Sequence, residues 1–356
     1  MIRVLVVEDS AVVREFLVHI LGSDPDLEVV GTAEDGEAAL EAVERTVPDV
    51  VTMDVHMPKM NGFEATRRIM ETHPTPIVIV SGTPDLAETT RAFRAIEAGA
   101  LSVLERPAGI GHPDQEASVA SLIRTVKLMA EVKVIRRWSR ARRPQVVPGA
   151  SLPAEIRIPP GSIAVVAVGA STGGPPVLQS ILSLLPANFP VPVLVVQHIA
   201  AGFTQGFVEW LGQSSHLPVQ VAVQGEPMLP GHVYVAPDGL HMKVGPGGQI
   251  RLSEEEPDNG LRPSVAALFG SVAKVYGQKA AGVLLTGMGK DGAHELKLMR
   301  DRGAVTIAQD RESSVVHGMP GHAISLGGAT YVLSPEKIAV ALTSLVAGKG
   351  EVRPMR

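Results

Sequence analysis

The chain of 356 residues contains no cysteine. Disulfides, thiolate metal sites and a cysteine nucleophile are excluded together, and the composition is compatible with a reducing compartment. No basic tract dominates either. The formal net charge is -5, which argues against nucleic acid as a primary partner. No uninterrupted apolar run approaches the roughly 20 residues that a membrane-spanning helix requires. The opening segment, MIRVLVVEDS, has one basic residue and a short apolar run followed by acids. It lacks the apolar core and small-residue cleavage site of a signal peptide. The expectation is a soluble cytoplasmic protein without membrane insertion.

What is present is a globular composition, with 45% hydrophobic and 19% charged residues. The length exceeds one ordinary domain, so two cores joined by a linker are expected. In the first third, short β-branched runs (Val4 to Val7, Glu28 to Gly31, Val50 to Met53, Ile77 to Val80, Ser102 to Leu104) alternate with amphipathic stretches. That alternation predicts a doubly wound, five-stranded parallel sheet over residues 1–120. Ser118 to Trp138 reads as a final helix running into a basic segment, Arg136 to Arg143, and a proline-punctuated stretch. Residues 121–160 are therefore assigned to a helix and linker, the basic run being a solvated part of it.

Residues 161–348 form the second domain. Strands are expected at Ile163 to Val168, Val193 to Gln197, Val219 to Val223, His232 to Ala236, Ala281 to Thr286, Ala304 to Ala308 and Ala329 to Leu333, with a hairpin from His241 to Leu252. Helical patterns intervene, among them Pro176 to Leu185 and Pro263 to Tyr276. The economical architecture is a mostly parallel α/β sheet with one hairpin excursion.

Two groups of residues carry chemistry. Glu8 and Asp9 follow the first strand and Asp54 ends the third. Carboxylates gathered at the C-terminal edge of a parallel sheet repel one another unless a hard cation such as Mg²⁺ joins them. A carboxylate beside such a cation is a competent nucleophile toward a phosphoryl group. Asp54 as a simple turn residue is the competing reading. In the second domain, Gly169-Ala170-Ser171-Thr172-Gly173-Gly174 follows a strand and precedes Pro175-Pro176, which suit a first helical turn. A serine at such a turn is exposed above the sheet edge, and the Thr172 N–H points from the helix start toward a developing oxyanion. The loop alone reads first as a nucleotide cradle, then as a hydrolase elbow, then as a structural turn. His198 lies just beyond Val193 to Gln197, and Asp291 lies in Gly287-Met288-Gly289-Lys290-Asp291-Gly292 after another strand. A serine, a histidine and an aspartate at three strand ends in one sheet are placed where a triad would converge, whatever their chain order. Asp238, in its own Asp-Gly turn, is the main rival to Asp291. His232 and His241 read as turn and strand residues.

The acidic pair, the central Asp54, the Met57-Pro58 loop with Asn61-Gly62, and Ser81 at the end of the fourth strand together resemble a response-regulator receiver domain of the flavodoxin-like type. The resemblance implies phosphorylation at Asp54 by a histidine kinase. It further implies Mg²⁺ held by Glu8, Asp9, Asp54 and the His56 carbonyl, with Ser81 sensing the phosphoryl group. The family usually has lysine before the proline that follows strand five, whereas this chain has Arg106-Pro107, a planar fork in place of a compact ammonium.

Residues 160 to 345 resemble the chemotaxis protein-glutamate methylesterase domain. The resemblance rests on Gly-Ala-Ser-Thr-Gly-Gly, on Gln197-His198 with Gly202-Phe203-Thr204, and on Val235-Ala236-Pro237-Asp238-Gly239. Arg262-Pro263-Ser264-Val265, Gly-Met-Gly-Lys-Asp-Gly, Ala308-Gln309-Asp310 and Gly318-Met319-Pro320 follow in order. It implies Ser171 as nucleophile, His198 as base and then acid, Asp291 as its orienter, and the Thr172 and Met288 N–H groups as oxyanion donors, with no cofactor for the esterase. The implied substrate is the methylated helices of chemoreceptors, with glutamine deamidation as a companion activity. His317 departs from the aromatic residue expected before Gly-Met-Pro, and Ile199-Ala200-Ala201 from the commoner Met-Pro-Ala. The competing class is a receiver-controlled nucleotide-binding or interaction module without esterase activity.

Overall fold

The computed structural model describes residues 1–82, 86–109, 111–113, 115–132, 134, 163–258 and 260–347, apart from the side chains of 86–91. The chain divides into two units, taken in turn. The linker and its basic segment, expected over 136–160, lie outside the described residues.

In the first unit, β1 (Ile2–Val7), β2 (Leu27–Ala33), β3 (Val50–Met53), β4 (Ile77–Ser81) and β5 (Ser102–Glu105) form one parallel sheet in the order β2-β1-β3-β4-β5. The strands are apolar without alternation because helices cover both faces: Val4 to Val6, Val50, Val51, and Ile77 to Ile79 are fully buried. The helices are α1 (Ala11–Gly22), α2 (Gly36–Thr46), α3 (Gly62–Thr72), α4 (Leu86–Ala98) and α5 (Gln115–Ala130). Side-chain oxygens start two of them: Asp35 accepts from the Ala38 N–H at 2.8 Å and Asn61 from the Glu64 N–H at 2.9 Å. The strand order reverses between β1 and β3, whose Val7 and Met53 are register partners. The residues leaving these two strands, Glu8 and Asp54, therefore emerge side by side at the edge where ligands bind.

The final helix of this unit spans Gln115–Ala130 instead of Ser118 to Trp138. Its buried face is Leu122, Val126 and Met129. The apolar spacing runs on to Val132, but the helix ends at Ala130, where the N–H groups of Glu131 and Val132 close tighter turns onto Leu128 and Met129.

In the second unit, β6 (Val165–Ala170), β7 (Val193–Gln197), β8 (Val219–Val221), β9 (Val233–Val235), β12 (Ala280–Leu284), β13 (Val305–Gln309) and β14 (Tyr331–Leu333) form a seven-stranded sheet, ordered β14-β13-β12-β6-β7-β9-β8. Every pairing in it is parallel. The hairpin β10 (His241–Gly245) and β11 (Gln249–Ser253) is antiparallel and pairs apart from the main sheet. The helices are α6 (Gly174–Leu184), α7 (Thr204–Gly212), α8 (Val265–Val275), α9 (Ala293–Asp301), α10 (Met319–Ser325) and α11 (Pro335–Val346). Helix α8 is buried through Leu268, Phe269 and Val272, which join Leu194, Val196, Leu284 and Leu296 in one core. Burying a side chain such as Phe269 contributes about 2–3 kcal/mol. Strand β12 ends at Leu284 instead of Thr286. The Thr286 N–H turns to Gln309 Oε1 at 2.8 Å and its hydroxyl to the Thr172 carbonyl at 2.9 Å, so this residue serves the loops above the sheet.

Among the described residues, no helix is long and apolar enough to cross a membrane.

Candidate active site

Strands β6, β7 and β12 are neighbours at the centre of the second sheet, and the three residues expected to act together leave from their carboxyl ends. Ser171 follows β6 directly. Its N–H donates to the Thr286 carbonyl at 3.0 Å, while its own carbonyl accepts from Gly174 at 2.8 Å. Gly173 caps the next helix with φ 75°, a left-handed conformation that suits glycine and turns the chain sharply from strand to helix. His198 follows β7, and its N–H donates to the Ala170 carbonyl at 3.0 Å, which keeps it beside the residue preceding Ser171.

His198 Nε2 meets Asp291 Oδ2 at 2.9 Å. Asp291 is buried and is held from its other side by the first turn of α8. The Val265 N–H donates to Oδ2 at 2.7 Å and the Ala266 N–H to Oδ1 at 3.0 Å. A helix N-terminus offers unpaired N–H groups and a positive dipole end, so it favours a carboxylate in this position. Burial by itself pushes the Asp291 carboxyl up. The His198 hydrogen bond and charge, together with the two backbone N–H groups, outweigh it and hold the group below the usual carboxylate range. Asp291 thus stays ionised and fixes the His198 ring with Nε2 toward it, leaving Nδ1 as the other ring nitrogen. Asp291, and not Asp238, is the partner of His198.

The two expected oxyanion donors are close to Ser171. Thr172 is its neighbour in sequence. Met288 follows Gly287, and a Cβ at Gly287 would stand 2.8 Å from Ser171 Cβ. Among the described residues, neither the Thr172 nor the Met288 N–H is taken by a protein acceptor.

Several supporting residues were not singled out by sequence reasoning. Ser264 caps α8 by accepting from the Ala267 N–H at 3.1 Å. Its hydroxyl also donates to Asp258 Oδ2 at 2.7 Å and lies 3.1 Å from His241 Nδ1. His241, read as a plain strand residue, is fully buried and joins this cluster, its Nε2 lying 3.2 Å from the Glu256 carbonyl. The sequence signal was the N-cap pattern of a serine before an apolar helix, Ser264-Val265. The buried side chain of Gln197 donates to the carbonyls of both Ser171 and His198, each at 2.8 Å. Its position next to the histidine was the only hint.

In the first unit, Glu8, Asp9 and Asp54 bring one carboxylate oxygen each within 4.8 Å of one another. Glu8 and Asp54 are buried and Asp9 is exposed. Burial and then the Asp54 charge push the Glu8 carboxyl up to about 7, against the pull of Arg106. A set of hard oxygen donors that repel one another in this way fits a hard divalent cation. Arg106 places Nη2 3.0 Å from Glu8 Oε2 and 3.7 Å from Asp54 Oδ1, so one guanidinium nitrogen faces both acids. Ser81 is buried at the end of β4, and His56 lies two residues beyond Asp54, lining a cleft with Val55, Asn61, Phe63 and Arg94.

The second unit is an α/β domain built on a parallel sheet, with a buried His–Asp pair at the carboxyl edge of that sheet. Residues 166–342 match the CheB methylesterase family model, and residues 4–112 match the response regulator receiver domain model. The chain is 60% identical over 360 residues to a protein-glutamate methylesterase/protein-glutamine glutaminase of Nitrosospira multiformis, with 99% of each chain covered. It is 58% identical over 350 residues to one from Geobacter metallireducens, covering 98% of this chain and 100% of that one. The crystal structure of the Thermotoga maritima CheB methylesterase catalytic domain is 40% identical, with a TM-score of 0.51, and is matched over its full length by 52% of this chain. The chain belongs to the protein-glutamate methylesterase/protein-glutamine glutaminase family, with a receiver domain preceding the esterase domain. These matches favour the hydrolase reading of the Gly-rich turn over the nucleotide cradle.

Proposed function

We propose that this protein hydrolyses γ-glutamyl methyl esters on the cytoplasmic helices of chemoreceptors, using Ser171, His198 and Asp291, under the control of phosphorylation at Asp54. The observation that carries the reading is the 2.9 Å pair between His198 Nε2 and a buried, helix-held Asp291 beside the Ser171 turn. His198 takes the Ser171 proton as Oγ attacks the ester carbonyl, and Nδ1 is the ring nitrogen that Asp291 leaves open for this. The tetrahedral oxyanion is received by the Thr172 and Met288 N–H groups. His198 then returns the proton to the departing methoxide, so methanol leaves and an acyl-enzyme remains. Water, deprotonated by the same imidazole, cleaves that ester to release glutamate and restore the serine. A glutamine side chain would follow the same route with ammonia as leaving group.

In the receiver, Glu8, Asp9, Asp54 and the His56 carbonyl would hold Mg²⁺, which when bound offsets the charge of an incoming phosphoryl group. Asp54 accepts the phosphoryl group from a histidine kinase, and Ser81 and Arg106 receive its oxygens. The protein works in the cytoplasm, where both kinase and receptor helices are available.

The test is methyl release from methylated receptor membranes, with and without a small phosphodonor. Ser171→Ala is expected to lose at least about a thousandfold in rate, and Asp54→Asn to lose the response to the phosphodonor. Near-normal methyl release by Ser171→Ala would overturn the assignment.

A further inference from the structure

We infer that Gln197 is a positioning residue for this reaction: its buried amide fixes the Ser171–Thr172 peptide, and with it the direction of the Thr172 N–H, while tying that peptide to the backbone of His198. The inference rests on the nucleophile and oxyanion assignment proposed above.

Gln197 is the last residue of β7 and pairs in register with Ala170, the last residue of β6. Its Nε2 lies 2.8 Å from the Ser171 carbonyl oxygen and 2.8 Å from that of His198. Only the NH₂ end of an amide can face two carbonyl oxygens, so the chemistry fixes its orientation and uses both of its hydrogens. The Ser171 carbonyl and the Thr172 N–H belong to one planar trans peptide and point in opposite directions. Holding the oxygen therefore aims the hydrogen. The next peptide is held as well, by Thr286 Oγ1 on the Thr172 carbonyl at 2.9 Å.

The arrangement has a cost that strand packing does not explain. Gln197 Oε1 is buried without a hydrogen-bond partner among the described residues. It lies against Gly174, where a Cβ would overlap it. An apolar side chain of the same length would remove this unsatisfied oxygen, but it would also take away the hydrogen bonds donated to the Ser171 and His198 carbonyls. What the amide adds is a two-point clamp between the nucleophile's peptide and the base's peptide. An N–H aimed at an oxyanion acts in the transition state and not on bound substrate, so misaiming it lowers kcat without raising KM.

The test uses the full-length protein activated with a small phosphodonor and compares Gln197→Met with Gly174→Ala. The first keeps the length and removes the donors, and the second pushes the amide from the other side. Methyl release from methylated receptor membranes should show kcat falling about 10- to 100-fold in both variants. KM should stay within about twofold and the pH dependence of kcat/KM should keep its wild-type shape, because the His198–Asp291 pair is untouched. A folded Gln197→Met protein with kcat within about threefold of wild type would overturn the inference. So would a kcat loss matched by an altered pH profile, or failure of both variants to fold, since the amide would then be a structural pin. Ser171→Ala, run in parallel, separates the two readings. If it stays active, the nucleophile assignment fails. If it is inactive while Gln197→Met behaves as wild type, only the role of Gln197 fails.

Discussion

Asp291 stands between His198 and the first turn of α8, accepting from Val265 and Ala266 on one side and meeting the imidazole Nε2 on the other at 2.9 Å. The orientation of the His198 ring is thus set, through Asp291, by the backbone of a helix. Helix α8 is itself anchored through Ser264, which links Asp258, His241 and the Ala267 N–H.

Replacing Asp291 by asparagine tests this relationship directly. The two carboxylate oxygens serve two helix N–H groups and the histidine, whereas an amide offers one acceptor oxygen. Either the helix or the ring must lose its partner. Methyl release should fall by roughly 10³–10⁴ in kcat, with little change in KM.

The same carboxylate gives the second unit an acid-sensitive component of stability. Its folded-state carboxyl is held below the ordinary value of 3.8 by His198 and the backbone donors, against burial. A depressed carboxyl contributes stability that is present above the unfolded value and is lost as pH falls through the folded one. Thermal melts of the full chain between about pH 6 and pH 3 should show the second unit losing stability toward acid. Asp291→Asn should remove that share of the slope, and an unchanged slope would contradict the account.

Ser264→Ala removes the N-cap of α8 and the hydroxyl shared with Asp258 and His241. Loss of such a cap costs about 1–2 kcal/mol, readable as a lowered melting temperature. Because the turn that is loosened carries Val265 and Ala266, kcat should fall as well. Ser264→Thr, which keeps the hydroxyl, should restore most of both.

Arg106→Ala addresses the receiver. Its guanidinium lies 3.0 Å from Glu8 and 3.7 Å from Asp54. Without it the acids repel one another more strongly and attract a divalent ion more strongly. Calorimetric titration should give Mg²⁺ affinity raised by about 3- to 10-fold, a figure kept small because Arg106 is partly exposed. Weaker binding would mean that the arginine helps the ion instead of standing in for it.

Much of this protein was legible in its chain. Continuous apolar runs such as Val4 to Val7 and Val193 to Val196 announced parallel strands covered on both faces, because only a doubly covered sheet buries every side chain of a strand. Ser171, His198 and Asp291 were legible as strand-end residues, since the period of the pattern locates where each strand stops. The helix expected to reach Trp138 ended at Ala130 because an apolar spacing marks a buried face and not the length of the cylinder. His241 opens β10 as the strand residue expected, but its buried contacts were not legible, because its partners Ser264 and Glu256 are 23 and 15 positions away.

The sequence by itself determined the two domains, the chemistry-bearing residue types and the strand ends they occupy, because hydrophobic periodicity and turn residues act over a few positions. Only the tertiary structure decided which aspartate holds His198, that α8 aims it, and that Gln197 clamps the peptides on either side. Those are hydrogen bonds between residues 25 to 93 positions apart, or through a side chain folded back on its own strand end. No local pattern encodes them, since each depends on which strands lie next to one another in the sheet.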